Sequence, residues 1–176
     1  RGKEVTAETI IFLFYMETKM CYFCFARKTR NDREALMPGE VKERFKMIIK
    51  EFHEKELPEL VRRLHVMDLS MLNSRLKKIV TIVGPRRAGK TYFLYQIMTE
   101  LFREGADISD ILYVNFEDER ITPIKAENLQ DMLDAYFELY DRKASPFVFL
   151  DEVQNVAGWD RFARRIGDAG FRVFIT

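Results

Sequence analysis

From Lys78 onward, two hydrophobic periods alternate along the chain. Short continuous apolar runs, the signature of buried strands, are separated by stretches in which apolar residues return every three or four positions, as on one face of a helix. Ile79 to Val83 is the first run. Tyr92 to Phe102 then follows helical spacing to about Arg103, with Gly105 as its stop. Ile111 to Phe116 reads as the second strand. Asn128 to Arg142 reads as a helix, with Leu129, Met132, Leu133, Tyr136 and Tyr140 as its stripe and Asn128 as its cap. Phe147 to Leu150 is the third strand, Trp159 to Asp168 a short helix leading to Gly170, and Phe171 to Ile175 the fourth strand. This order predicts an α/β fold, a parallel sheet with helices on both faces.

The part before Lys78 follows different patterns. Pro38-Gly39 opens a helix with Val41, Phe45, Ile48, Ile49 and Phe52 on one face and lysines and glutamates on the other; Pro58 ends or kinks it. Leu60 to Lys78 reads as a linker with a short strand around Leu64 to Val66. Residues 1–36 have no helical period, and the phenylalanines at 12, 14, 23 and 25 alternate as in short strands. The expected organisation is an appended segment over 1–36, a helix and linker over 37–77, and a core over 78–176.

Composition narrows the class without naming a partner. At 47% hydrophobic and 32% charged, the chain is that of a globular protein, and 176 residues suffice for one well-buried domain. A net charge of +1 gives no global field towards nucleic acid. Cys21 and Cys24 form a C-x-x-C pair, but the only histidines, His53 and His65, are distant, so four zinc ligands are not assembled and the thiols read as incidental. Ile10 to Ala26 is apolar, yet Glu17 and Lys19 interrupt it. Each central charge costs about 2.5–3.5 kcal/mol on insertion, so a membrane span is not expected and a cytoplasmic protein is.

The chemistry lies between the predicted elements. Gly84-Pro85-Arg86-Arg87-Ala88-Gly89-Lys90-Thr91 fits G-x-x-x-x-G-K-[ST], with a strand before it and a helix after it. Such a loop cradles phosphates with backbone N–H groups at a helix N-terminus. Lys90 would reach the β- and γ-phosphates, and the Thr91 hydroxyl would ligate Mg²⁺. Phe147 to Leu150 runs into Asp151-Glu152, placing carboxylates at the carboxyl end of a buried strand. Asp151 would hold Mg²⁺, directly or through water. Glu152 would orient or deprotonate an attacking water, which favours a hydrolase over a phosphotransferase. No Asn-Lys-x-Asp motif occurs, which favours ATP over GTP.

The segments GPRRAGKTYFLYQ, ILYVNFEDER, FVFLDEVQNVAGWDRFARRIGDAG and VFIT, in that order, resemble AAA+-like P-loop ATPases of archaea and bacteria in which an AAA domain precedes a C-terminal nuclease-like domain. The likeness covers roughly residues 40–176. It implies ATP binding and hydrolysis with Lys90, Thr91, Asp151 and Glu152 in the roles above, and a strand end near the nucleotide at Tyr113 to Asp118. For Glu117 and Asp118 a solvated strand exit competes with a place beside the metal. Trp159 reads as a packing anchor rather than a recognition residue. Arg86 and Arg87 can meet phosphate, a partner protomer or solvent. A homo-oligomer or a protein partner is open, and nucleic acid rests on family analogy alone.

Departures from that pattern carry expectations of their own. In such ATPases the strand corresponding to Phe171 to Thr176 is followed at once by a polar sensor residue, and a fifth strand, a helical lid and an arginine finger come later. A chain ending at Thr176 is expected to lack all of these, as a C-terminally truncated fragment would. Without a fifth strand, Ile79 to Val83 is expected to lie bare at the sheet edge.

Overall fold

A computed structural model of the chain describes residues 10–13, 38–59, 79–140 and 146–176. Its elements, in chain order, are β1 (Ile10–Leu13), α1 (Pro38–Glu54), β2 (Ile79–Val83), α2 (Lys90–Arg103), β3 (Ile111–Asn115), α3 (Leu129–Leu139), β4 (Phe147–Asp151), α4 (Trp159–Asp168) and β5 (Arg172–Ile175). The strands form one parallel sheet in the order β1-β2-β5-β4-β3. The predicted α/β architecture is therefore the observed one. The expected strand at 64–66, the Cys21–Cys24 pair and most of the apolar stretch from Ile10 to Ala26 lie outside the described residues.

Side chains alternate across each strand, so residue parity assigns them to two layers. Leu112, Val114, Val148, Leu150, Val173 and Ile175 pack under α1, α3 and α4. Ile111, Tyr113, Phe149 and Phe174 pack with Phe93, Leu94, Ile97 and Met98 of α2 on the opposite face. Helix α4 approaches β2 closely: a Cβ on Gly167 would lie 3.2 Å from Ile79 Cγ1. A side chain at 167 therefore requires the Ile79 side chain to give way by a few tenths of an ångström.

Helix α1 lies against α3 and reaches round the β3 edge. Val41, Phe45 and Ile49 join the α3 side, whereas Phe52 packs on Tyr113, its ring tilted and 4.6 Å away between centroids, on the α2 side. His53 covers the edge backbone, its Nε2 lying 2.8 Å from the Ile111 carbonyl oxygen. Because a carbonyl only accepts, Nε2 carries the proton and Nδ1 accepts from the Tyr140 hydroxyl in the neutral ring. Burial holds the His53 pKa below its ordinary value of 6.5. The unfolded chain therefore takes up a proton that the fold resists. The His53 contribution is complete above pH 6.5 and is lost as pH falls from there through the folded-state value. Urea midpoints at pH 7.5 and 5.5 check this: the parent is expected to lose more stability on acidification than His53→Gln, and equal losses would refute the assignment.

Three expectations need correction. Ile79 to Val83 is not bare at the sheet edge, because Ile10 to Leu13 pairs along it in parallel, from Ile10 opposite Val80 to Leu13 opposite Val83. The run Ile10-Ile11-Phe12-Leu13 has the β-branched and aromatic content that such an edge accepts. The Asn128 side chain does not cap α3; its Oδ1 accepts the Lys125 N–H and closes the preceding single 3₁₀ turn at Ala126–Asn128 instead. Helix α3 also stops at Leu139, where Tyr140 turns to extended backbone.

Candidate phosphate-binding site

Strand β2 delivers the 84–91 loop, and α2 receives it. The Ala88 N–H donates to the Pro85 carbonyl at 3.2 Å, while Arg87 and Gly89 adopt left-handed backbone with φ of 65° and 79°. A left-handed Arg87 is a strained position for a residue with a Cβ, of order 1–3 kcal/mol, and such strain concentrates at functional loops. A Cβ on Gly84 would lie 3.6 Å from Ala88 Cβ and 3.9 Å from Lys90 Cγ, inside the bend the loop makes. Gly89 brings no side chain to cap α2, and the first turn holds no acidic residue. The helix N-terminus thus offers its dipole and backbone donors to an external anion.

Lys90 and Thr91 are the first two residues of α2, both partly buried. The Lys90 ammonium lies 3.3 Å from Glu152 Oε1, with side chains 13% and 21% exposed. Glu152 reaches it through left-handed backbone, φ 54° and ψ 35°, which turns the chain sharply at the end of β4. Its other oxygen accepts from Gln154 Nε2. Pro85, Arg86 and Arg87 are exposed on the loop tip, and Arg86 comes no closer than 3.9 Å to Glu117, an exposed pair of little energetic weight.

Asp151, by contrast, is fully buried. Its odd number places it on the Phe147 and Phe149 side of β4, the α2 side. Tyr113 of β3 shares that face, and so does Thr176 after β5. The Tyr113 hydroxyl donates to Asp151 Oδ2 at 2.9 Å and the Thr176 hydroxyl donates to Oδ1. Thr176 Oγ1 also accepts the Glu152 N–H at 2.9 Å. Burial, then the Asp151 charge, drive the Tyr113 phenol well above its ordinary pKa, so it stays a donor. No cation pairs with Asp151 among the described residues.

A buried carboxylate held by two neutral hydroxyls is costly to leave without a counter-charge. One lone pair on each oxygen remains for a metal-bound water or a metal. Mg²⁺ usually takes one or two protein oxygens and completes its shell with water and substrate phosphate. Thr91 and Asp151 fit that need. No group of three or more His, Cys, Asp or Glu ligands occurs among the described residues, and a Mg²⁺–nucleotide site requires none.

The structure brings the Lys90 and Asp151-Glu152 elements together and sets other candidates apart. Asp118 grips Arg120, which also holds Glu51 of α1, and this pairing keeps the Asp118 carboxyl below its usual range. Asp118 also caps the turn at Glu119–Ile121, accepting the Arg120 N–H. Trp159 packs at the start of α4 against the core, as an anchor does. Strand β5 ends at Ile175, and Thr176, the polar residue that follows it, hydrogen-bonds Asp151. Tyr113, Thr176 and Gln154 were missed by motif reading. Strand parity sets Tyr113 and Thr176 on the Asp151 face, and the strand order, with β3 and β5 flanking β4, sets them beside it.

No helix among the described residues is long and apolar enough to cross a membrane. A family described as an AAA domain matches residues 76–176. An uncharacterised protein of Methanocaldococcus jannaschii is 43% identical over 99 residues, covering 56% of this chain and 21% of that protein. An uncharacterised protein of Haemophilus influenzae is 30% identical over 89 residues, covering 50% of this chain and 22% of that protein. The chain thus spans about a fifth of the length of these curated relatives. No solved structure matches it. On the family match, the chain belongs to the AAA domain family, a class of nucleotide-binding, ATPase-type P-loop domains.

Proposed function

We propose that the chain is a Mg²⁺-dependent ATPase core that binds ATP on Gly84 to Thr91 and hydrolyses it to ADP and phosphate. One observation carries the reading. Lys90 of the loop and Glu152 of the acidic strand end meet at 3.3 Å, so two motifs far apart in sequence converge on one small volume. Backbone donors of the loop and the α2 N-terminus hold the phosphates, and Lys90 neutralises the β- and γ-oxygens. Thr91 and Asp151 would hold Mg²⁺, which supplies charge neutralisation across the β- and γ-phosphates. Glu152 orients the attacking water and takes its proton.

A nucleotide-dependent switch with little hydrolysis is the second reading. It is favoured by the engagement of Glu152 with both Lys90 and Gln154, which occupies the proposed base. Single-turnover phosphate release from bound ATP separates the two. Release within minutes supports the ATPase, intact ATP after hours supports the switch, and absence of nucleotide binding with millimolar Mg²⁺ refutes both. A C-terminal nuclease-like domain, which the resemblance implies, is part of this proposal for the longer protein. A cytoplasmic location and a homo-oligomeric, protein or nucleic-acid partner belong to the same proposal.

A further inference from the structure

Asp151 is held from both sides, and the two sides differ in origin. Thr176 comes from the adjoining strand end and also fixes the Glu152 backbone. Tyr113 comes from β3, two positions before the strand's last residue, and its 7% exposed side chain ends on Asp151 Oδ2 at 2.9 Å. The phenol is itself locked. The Tyr95 hydroxyl donates to it at 3.3 Å, and the Tyr95 ring lies 5.6 Å away. The Phe52 ring of α1 covers it at 4.6 Å. Tyr95 stands one helical turn beyond Thr91 on α2, so one aromatic cluster links α1, the phosphate-loop helix and the Asp151 carboxylate.

We infer that Tyr113 is a positioning residue for the metal: its hydroxyl fixes the plane of the Asp151 carboxylate so that the two remaining lone pairs face a hydrated Mg²⁺ bound with nucleotide. This rests on the reading of the site as Mg²⁺–ATP binding. A carboxylate free to rotate samples many orientations, and only some suit an octahedral ion with little tolerance for distortion. With the Tyr113 and Thr176 hydroxyls both in place, rotation about the Cβ–Cγ bond breaks at least one buried hydrogen bond. Outer partners of this kind commonly change metal affinity 10–100-fold when removed.

The test is the Mg²⁺ dependence of fluorescent ATP-analogue binding, with thermal melting beside it. Tyr113→Phe keeps the ring and loses only the donor. It is expected to bind nucleotide in EDTA within about twofold of the parent while needing about 10-fold more Mg²⁺ for half of the metal-induced gain in affinity. Tyr95→Phe removes the outer hydroxyl but not the bond to Asp151, and is expected to keep the parent's Mg²⁺ requirement. An unchanged Mg²⁺ requirement in Tyr113→Phe overturns the inference, as does an equal shift in Tyr95→Phe. If Tyr113→Phe does not melt cooperatively, 4-aminophenylalanine at position 113 restores a donor. Parental Mg²⁺ dependence there supports the inference, and a raised requirement refutes it. Failure of the underlying reading is distinct, because the parent itself would then show no Mg²⁺-stimulated nucleotide binding.

Discussion

Lys90→Ala is expected to weaken ATP binding by about a hundredfold or more, since each charge-assisted hydrogen bond to phosphate contributes roughly 1.5–3 kcal/mol and an ammonium at this position makes more than one. Equilibrium binding of a fluorescent ATP analogue in Mg²⁺ measures it. The structure makes the experiment discriminating, because Lys90 also has a partner within the protein. Its ammonium sits 3.3 Å from Glu152. If that ion pair were its whole purpose, Lys90→Ala would lower stability and leave nucleotide affinity intact. A partly exposed pair of this kind contributes about 0.2–1 kcal/mol, so the melting temperature is expected to move little while affinity collapses. Binding at the parent's affinity would remove Lys90 from the site and with it the role of the loop.

How much of this was legible in the sequence depended on whether the signal was local. Strand β2 and helix α4 have the boundaries their patterns predict, because a β-branched run before a glycine loop and a 10-residue amphipathic turn between glycines are set by nearest neighbours. The Gly84 to Thr91 loop was legible for the same reason. The end of α3 was not, because backbone geometry at Tyr140, whose ring packs against His53 and Tyr136, decides where that helix stops. The pairing of Ile10 to Leu13 with Ile79 to Val83 joins segments nearly 70 residues apart, and no local pattern encodes a partner at that separation. At the site, motif reading found the acid but not its holders. Tyr113 and Thr176 bear on Asp151 only because the strand order sets β3 and β5 on either side of β4. That adjacency is a property of topology, and the motif around Asp151 is silent about it.

Glu152→Gln is expected to have two effects of opposite sense, and together they separate a base from a brace. Turnover should fall about 10²–10⁴-fold, the usual contribution of a positioned general base, because an amide cannot take the proton of the attacking water. Nucleotide affinity should be kept or should rise by up to about fivefold, equivalent to ~1 kcal/mol, because the neutral amide no longer competes with phosphate for the Lys90 ammonium. The isosteric side chain can still meet Gln154 and preserve the turn at the end of β4, so the fold is expected to survive. Phosphate release under saturating ATP and equilibrium binding of the same nucleotide, measured side by side, read the two effects. If turnover falls and affinity falls with it, Glu152 acts mainly in holding the loop. If turnover stays at the parental rate, the water is activated elsewhere, and the Lys90–Glu152 pair is then a structural contact only.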